Sequence, residues 1–277
     1  MKKLSLGFAL AVLLLFVAAC NGSTEGDTNV SDESANNGDD PVKIGLVLPL
    51  TGPAALYGEQ VQYGAQLAEK IINEDGGILG GREVEVIFED DEASPEIGVN
   101  AFNKLIDVEE VHAVAGGVNS SVSMAAVNIA EDKLLHVVTV SKAPDIMKDR
   151  DDYRFRLNST NDMDGESFHK FVADEIQPET VAVIVENTDY GVAEIDALEQ
   201  NWADEGSPEI VGVEYFELTE TDFTNPLTNL RSLDADALYV VGAAIEINSA
   251  IFRQAHELGF NDTIKLLAPG NINMAVV

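Results

Sequence analysis

The chain has 277 residues, 45% of them hydrophobic, and this length exceeds that of a typical single hydrophobic core, so two domains are expected. Its 16 Lys and Arg against 49 Asp and Glu give a formal net charge of −33, which argues against nucleic acid and anionic lipid headgroups as partners because such a surface repels phosphate. This acidic excess also indicates a saline or alkaline surrounding, in which counterions screen the repulsion between like charges.

The chain begins with two lysines, an apolar run, small residues and a cysteine, "MKKLSLGFALAVLLLFVAAC". The run is short for a transmembrane helix, so the pattern predicts an export signal over residues 1–19. Cys20 is the only cysteine, which excludes an intramolecular disulfide. "VAAC" resembles the bacterial lipobox, which implies that Cys20 is lipidated and holds the protein at a membrane surface. An ordinary signal peptide that is cut elsewhere is the alternative.

Residues 20–41 contain acids but no base, and almost nothing apolar. Such a segment cannot bury enough apolar surface to fold, so it is predicted to be a disordered tether. Its Gly, Ser and Asn content makes it flexible, and its like charges extend it.

Strand and helix patterns alternate strictly from residue 42. In the first half, the predicted strands are 42–50, 82–95, 111–117, 135–141 and 153–157, and the predicted helices are 58–77, 95–109 and 121–133. In the second half, the predicted strands are 180–186, 210–218, 237–243 and 264–269, and the predicted helices are 167–176, 192–206, 223–233 and 246–259. This order predicts an α/β fold with mostly parallel sheets covered by helices on both faces. A polar stretch interrupts the rhythm, so we expect two lobes, 42–157 and 158–277, joined near residues 156–160.

The segment "AVAGGVNSSVSMAAVNIA" runs from a strand through a tight polar turn into a helix. Gly116 and Gly117 allow close approach of the backbone, while Ser120 and Ser121 supply hydroxyls and helix-start amides for a carboxylate. Simple capping of the helix is the alternative role for the two serines.

Enzyme and metal motifs are missing from the sequence. There is no G-x-G-x-x-G after the first strand, no Walker loop and no G-x-S-x-G elbow, and the histidines lack i, i+4 pairing, so we predict no catalysis, no cofactor and no metal. "EDDE", residues 89–92, could indicate a metal cluster, but its position favours a solvated turn that caps the next helix. Trp202 is expected to pack in the core.

Several segments in one order carry a resemblance, among them "VKIGLVLPLTGPAALYG", "VNSSVSMAAVNIAEDK", "VAVIVENTDYG" and "DFTNPLTNLRSLDADALYVVG". Over residues 42–277 they resemble the branched-chain amino-acid receptors, the leucine/isoleucine/valine-binding proteins of ABC importers. The resemblance implies the type I periplasmic binding protein fold, in which two hinged lobes close on a ligand. Members of this family continue for about a hundred further residues, so we expect the second lobe to be incomplete at its C-terminal end.

The resemblance also implies ligand-binding residues. It places Ser120 at the ligand carboxylate, Tyr57 as an aromatic wall and Tyr190 stacked over the closed ligand. Ser141 and Lys142 fall where the family has small residues and a threonine that hold the α-carboxylate and the ammonium. Plain packing is the alternative role for Tyr57.

Other positions depart from the family pattern. A cation at Lys142 favours a second acidic group on the ligand or repels an ammonium, unless the side chain points to solvent or the alignment slips by one residue. The family's second cleft tyrosine falls near Ala244 and its ammonium-binding glutamate near Gly270. Recognition of an α-amino group therefore requires Asp189 or Glu246, and a carboxylate or amide without the amine is an equal alternative.

The predicted function is a lipid-anchored receptor in the cell envelope, on the outer side of the cytoplasmic membrane or in the periplasm. It captures a small amino acid or a related carboxylate or amide by lobe closure and passes it to ABC permease subunits. The alternative is a sensory receptor of the same fold that signals to a partner protein.

Overall fold

A computed structural model describes residues 40–130, 134–149, 152–260 and 264–270. The predicted signal, Cys20 and all but the last two residues of the predicted tether lie outside the described residues. In the described part, no helix combines the length and the apolar character needed to cross a membrane.

The first lobe is built on a five-stranded parallel sheet with the strand order β2-β1-β3-β4-β5. Its strands are β1 (Val42–Leu48), β2 (Val84–Asp90), β3 (Ala113–Gly116), β4 (Leu135–Val138) and β5 (Arg154–Arg156). Its helices are α1 (Ala55–Glu74), α2 (Pro95–Asp107), α3 (Ser120–Ala126) and a 3-10 turn, Pro144–Met147.

The second lobe is built on a four-stranded parallel sheet with the strand order β7-β6-β8-β9. Its strands are β6 (Thr180–Glu186), β7 (Glu209–Phe216), β8 (Ala237–Val241) and β9 (Lys265–Leu267). Its helices are α4 (Asn161–Phe171), which continues into a π-helical turn, Val172–Ile176, α5 (Asp189–Asn201), α6 (Thr224–Arg231) and α7 (Ile245–Glu257). The two lobes belong to one compact unit, and the predicted α/β class with parallel sheets is confirmed.

Both faces of the second sheet are buried. Ile184 and Val240 pack into one hydrophobic cluster, while the alternating residues Val183 and Tyr239 pack into another on the opposite face. This alternation explains why β6 and β8 are almost uninterrupted apolar runs. Trp202 lies in the second cluster, and its indole nitrogen donates to the His169 carbonyl at 3.1 Å, so its predicted core role is confirmed.

Several helices begin or end at different residues from those predicted. Helix α1 begins at Ala55, so Tyr57 lies in its first turn rather than in a loop. Helix α5 begins at Asp189 because the Thr188 hydroxyl accepts from the Gly191 amide at 3.3 Å and caps it. Helix α4 begins at Asn161, six residues before its predicted start at residue 167. Helix α3 ends at Ala126, well short of the predicted residue 133. The pattern thus missed the first turns of three helices, α1, α4 and α5, and extended α3 beyond its end.

Candidate functional site

A cavity lies between the two lobes, beyond the carboxyl ends of strands β3, β4, β6 and β8. Open α/β sheets bind their ligands in this place. We call it the main cavity, and it is lined by Tyr57, Val118, Asn119, Ser120, Val140 and Lys142 of the first lobe and Glu186, Tyr190 and Ala243 of the second. Its volume is about 40 Å³, which is enough for one or a few water molecules.

Four of the seven residues expected from the sequence line the main cavity: Tyr57, Ser120, Lys142 and Tyr190. The other three lie next to it and contact protein atoms: Ser121, Ser141 and Asp189. The first group presents hydroxyl, phenol and ammonium groups to the cavity, so polar recognition from both lobes is available there.

Ser120 is the first residue of α3 and is almost fully buried. Its hydroxyl oxygen accepts from the Lys142 amide at 3.3 Å and from the Ala143 amide at 3.2 Å. Both lone pairs are thereby used, so any further hydrogen bond of this hydroxyl is one in which it donates. Capping of α3, the alternative role, is wrong for Ser120, because its hydroxyl ties α3 to the loop after β4.

Ser141 supports the cavity from beneath rather than lining it. Its hydroxyl donates to the Gly117 carbonyl at 2.6 Å and lies 2.6 Å from the Ser123 hydroxyl oxygen. Gly117 has a φ of +76°, and a Cβ there would lie 1.8 Å from that Ser123 oxygen. Only glycine fits this position, so the three residues form a tightly packed floor. The structure thus places Ser141 in this floor, next to the lining of the main cavity.

Lys142 forms an ion pair across the cleft. Its ammonium nitrogen lies 2.6 Å from Oδ2 of Asp164 at the start of α4, so the alternative in which Lys142 points freely to solvent is wrong. Burial alone would raise the pKa of Asp164, but hydrogen bonds from Lys142 and Ser159 outweigh burial and lower that pKa. Because the charge of Lys142 is already balanced, its repulsion of a ligand ammonium is weakened.

Ser121 and Asp189 connect the lobes at a second point. The Ser121 hydroxyl oxygen accepts from the Asp189 amide at 3.0 Å, which joins the start of α3 to the start of α5. The Asp189 side chain instead lines a separate cavity of about 310 Å³. Glu246 is exposed and lies outside the main-cavity lining, but its charge acts on Tyr57, which lines that cavity.

Tyr57 lies at the rim of the main cavity and is half-buried. Burial, with a further contribution from the charge of Glu246, raises the pKa of Tyr57 to about 12. Burial also raises the pKa of Tyr190 well above its usual value, and the nearby carboxylates add to this rise. Both phenols therefore stay neutral and can donate hydrogen bonds at physiological pH.

Glu186 is a cavity residue that the sequence reasoning missed. It is the last residue of β6, 1% exposed, with Oε2 accepting from the Ala243 amide and Oε1 from the Thr188 hydroxyl, both at 2.5 Å. Burial raises the pKa of Glu186, and these two hydrogen bonds oppose the rise. An available signal was the single acid closing the apolar strand "TVAVIVE", because the carboxyl ends of parallel strands face the ligand site.

Known proteins share this architecture. The family model described as "Periplasmic binding protein" matches residues 41–274. The chain belongs to the periplasmic binding protein family. The resemblance to this family that was seen in the sequence over residues 42–277 is confirmed.

The binding protein is 34% identical over 224 residues to the Leu/Ile/Val-binding protein BraC3 of Rhizobium johnstonii, covering 80% of this chain and 60% of that relative. It resembles the structure of a leucine binding protein of Thermotoga maritima, with a TM-score of 0.74 and 29% identity over 82% of this chain and 63% of that one.

A solute binding protein of an ABC transporter of Rhodopseudomonas palustris, in complex with 3,4-dihydroxybenzoic acid, has a TM-score of 0.74 and 25% identity over 84% of this chain and 63% of that one. The binding protein thus spans about 60% of the length of the curated relative it matches.

The described part of the binding protein contains no group of three or more His, Cys, Asp or Glu placed to hold a metal. In "EDDE", Asp90 accepts from the Leu50 amide at 2.8 Å and from the Thr51 hydroxyl at 2.6 Å, while Asp91 is fully buried. Ser94 caps α2 instead. The expected capping role is therefore wrong, and the expected solvation holds for the exposed Glu92 but not for the buried Asp91. Asp90 braces the loop after β1 through its hydrogen bonds.

Proposed function

We propose that the binding protein is the extracytoplasmic solute receptor of an ABC importer and captures a small amino acid. The observation that carries the proposal is the main cavity, which has the Ser120 hydroxyl on one lobe and the buried carboxyl of Glu186 on the other. The names of relatives that bind leucine, isoleucine and valine support it, as does the fold.

The chemistry of the main cavity suits an α-amino acid with an apolar side chain. The Ser120 hydroxyl donates to the α-carboxylate, and Glu186 accepts from the α-ammonium. Val118, Val140 and Ala243 supply apolar surface for the side chain. An ammonium beside Glu186 would lower the raised pKa of that carboxyl again, because an opposite charge favours the ionised form. Glu186 thus replaces the family glutamate that the sequence lacks near Gly270.

Lobe closure is the proposed mechanism of capture. The Lys142–Asp164 ion pair and the Ser121–Asp189 hydrogen bond join the lobes, so both contacts stabilise the closed arrangement. A solute that contacts Ser120 and Glu186 together gains both contacts only when the lobes are shut. Such a ligand shifts the opening equilibrium toward the closed state, which the permease recognises.

The proposal includes an anchor in the cell envelope. The export signal over residues 1–19 and the lipobox-like cysteine support a lipid attached at Cys20. Metabolic labelling of the protein with a radioactive fatty acid should mark the wild type and leave Cys20→Ala unlabelled. Equal labelling of both would contradict the anchor.

Calorimetric titration tests capture. Leucine, isoleucine and valine are compared with 4-methylpentanoate, which is leucine without its amine, and with 3,4-dihydroxybenzoate. Ser120→Ala should weaken every carboxylate about tenfold, and Glu186→Gln should weaken the amines about tenfold while sparing the amine-free acids. Ser232→Ala is the matched control, because the Ser232 hydroxyl bonds to the Asn229 carbonyl on an exposed turn.

Two results would overturn the proposal. One is the absence of binding by every compound. The other is unchanged affinity in Ser120→Ala, which would mean that the carboxylate lies elsewhere. Uptake tests transport: deleting the gene should abolish high-affinity uptake of the amino acid that binds, and undiminished uptake would favour the sensory alternative.

A further inference from the structure

The loop that follows strand β4, residues 140–143, forms part of the main cavity, and we call it the β4 loop. Val140 and Lys142 line the cavity. The amides of Lys142 and Ala143 donate to the Ser120 hydroxyl oxygen at 3.3 and 3.2 Å. The position of the β4 loop therefore sets two lining residues directly and orients the Ser120 hydroxyl through the bonds that this hydroxyl accepts.

Two side chains at the end of the first lobe hold the β4 loop by its carbonyls. Arg156 is the last residue of β5, and its two terminal guanidinium nitrogens donate to the Ser141 carbonyl at 2.8 Å and the Ala143 carbonyl at 2.7 Å. The side-chain nitrogen of Asn158 donates to the Val140 carbonyl at 2.5 Å. An arginine suits two carbonyls at once, because its planar fork holds the donors at a fixed spacing.

The remaining carbonyl of the β4 loop is bonded from the second lobe. The Asn161 amide, at the start of α4, donates to the Lys142 carbonyl at 3.1 Å. Every carbonyl of the β4 loop thus accepts from residues 156–161, the segment in which the chain passes from β5 of the first lobe to α4 of the second. The connection between the lobes therefore fixes the backbone of this part of the main cavity.

A second arginine on β5 provides an internal comparison. Arg154 lies two residues before Arg156 and also donates to two carbonyls, that of Ile146 at 3.3 Å and that of Val127 at 2.5 Å. Both acceptors lie outside the lining of the main cavity. The two arginines hence make the same kind of contact, but only Arg156 makes it to the β4 loop.

We propose that Arg156 is a positioning residue of the ligand site, which holds the β4 loop so that the Ser120 hydroxyl keeps a fixed orientation toward a ligand carboxylate. Arg156 lies outside the lining of the main cavity, so it acts through Ser120 and not by contact with the ligand. The inference rests on the proposed function and adds a supporting residue to the same site. Such support matters because a recognition group that moves by about 1 Å loses its hydrogen-bond geometry.

Replacing each arginine by methionine tests the role of Arg156. The probe is the carboxylate of the calorimetric panel that binds the wild type most tightly, at a temperature at which circular dichroism shows each variant to be folded. Arg156→Met keeps a long side chain without donors and should weaken binding about tenfold. Arg154→Met is the matched control. It should also lower the free energy of unfolding, but it should leave the affinity of the folded protein unchanged.

A double-mutant cycle with Ser120→Ala shows whether Arg156 acts through Ser120. In the Ser120→Ala background, the hydroxyl that Arg156 is proposed to orient is missing. Arg156→Met should therefore weaken binding of the same probe less than about threefold there, compared with about tenfold in the wild type. A residue that merely stabilised the fold would have the same effect in both backgrounds.

Asn158 provides an independent variant should Arg156→Met fail to fold. Asn158→Ala removes a single bond to the β4 loop, so it should weaken binding about threefold in the wild type and change it little in Ser120→Ala. Asn73→Ala is its control, because the Asn73 side chain likewise bonds to backbone, at Val84 with two distances of 2.8 Å. Neither residue of this control pair lines the main cavity, so the affinity should stay at the wild-type value.

The outcomes separate the positioning role from the proposed function. Wild-type affinity in Arg156→Met, or in Asn158→Ala where Arg156→Met does not fold, overturns the positioning role and leaves the proposed function standing. An equal loss of affinity in Arg156→Met and Arg154→Met overturns it as well, and so does an equal effect of Arg156→Met with and without the Ser120 hydroxyl. If no compound of the panel binds the wild type, the proposed function and the positioning role are both overturned.

Discussion

The two lobes hold their sides of the cleft in place by different chemistry. In the first lobe, neutral groups bond to each other: Ser141 to the Gly117 carbonyl, and Ser141 to Ser123. In the second lobe, several groups bond to one buried carboxylate. Glu194 accepts from the Asn161 side-chain amide at 2.7 Å and from the Tyr239 hydroxyl at 2.9 Å, and it lies 3.1 Å from His169 Nε2. Glu194 thereby fixes α5 against α4, and α5 carries Tyr190.

This difference indicates which substitutions should destabilise the side of the cleft, or wall, that each lobe provides. A buried hydroxyl carries no charge, so the stability of the floor around Gly117 depends chiefly on how closely its residues pack. A buried carboxylate is tolerated only when its oxygens are hydrogen-bonded, and its removal leaves several donors unsatisfied at once. The second lobe should therefore be the more sensitive to loss of one polar group.

The largest effect is expected from Glu194→Ala. It leaves the Asn161 amide and the Tyr239 hydroxyl without an acceptor in a buried site and should lower the free energy of unfolding by about 3–5 kcal/mol in urea titrations. Glu199→Ala on the exposed face of the same helix is the control, with an expected change under about 0.5 kcal/mol. A loss below about 1 kcal/mol for Glu194→Ala would show that the network does not stabilise this wall.

Asp91 sharpens the comparison, because it is a buried first-lobe carboxyl without such a network. Its Oδ1 accepts from the Ala93 amide at 2.8 Å, while its Oδ2 has no hydrogen-bond partner in the described part of the chain. Burial raises the pKa of Asp91 from 3.8 to about 7, and the charge of Asp90 adds to the rise. A raised folded pKa means that the folded state binds the proton more tightly than the unfolded state. This contribution to stability is present below pH 3.8 and is lost as the pH rises through about 7.

Asp91→Asn removes this titration. As the pH rises from 4 to 8, the free energy of unfolding of the wild type should fall by roughly 2–4 kcal/mol relative to that of the variant. Asp90→Asn serves as the contrast, because the hydrogen bonds to Asp90 outweigh its burial and lower its pKa, so its effect should appear only at acid pH. A difference between Asp91→Asn and the wild type that does not change with pH would contradict the raised pKa.

Shape should matter most at Gly117. Gly117→Ala introduces a Cβ 1.8 Å from the Ser123 hydroxyl at a φ of +76°, so we expect a loss of about 2–4 kcal/mol in urea unfolding from backbone strain and overpacking together. Gly206→Ala has a φ of +92° with open space around its Cβ, and it should lose only the backbone part, about 1 kcal/mol. Equal losses for the two variants would show that the floor yields to the added methyl group.

The fold was largely predictable from the sequence, because strands such as β6 and β8 are apolar runs and alternate with amphipathic helices. The family resemblance led to Tyr57, Ser120 and Tyr190, which all line the main cavity. These positions depend on local motifs at strand ends and helix starts, and such motifs are visible in one chain.

The partners of the polar groups were not predictable. Lys142 pairs with Asp164 in the other lobe, and Ser141 bonds to Gly117, 24 residues away. Whether Glu186 turns toward the cavity depends on side-chain directions that only the packed lobes fix. Sequence patterns report burial and periodicity, whereas hydrogen-bond pairing across lobes is a tertiary property.

The smallest effect on stability is expected at the Lys142–Asp164 pair, a charged contact that joins the two walls. The side chains are 24% and 39% exposed, so their coupling in a double-mutant cycle of Lys142→Met and Asp164→Asn should be only about 0.5–1 kcal/mol. It should decrease in 1 M salt, which screens partly exposed charges. Since the pKa of Asp164 is lowered, the coupling should persist above pH 4 and vanish only at more acid pH.

The same pair should nevertheless influence lobe opening. Only about 1 kcal/mol is needed to change an opening equilibrium several-fold, so both single variants should give a larger radius of gyration in small-angle X-ray scattering than the wild type. Lys70→Met, which breaks the exposed pair with Glu74 on α1, is the control and should leave the radius unchanged. If Lys142→Met has the wild-type radius and zero coupling to Asp164, the walls are held together by the neutral contacts alone.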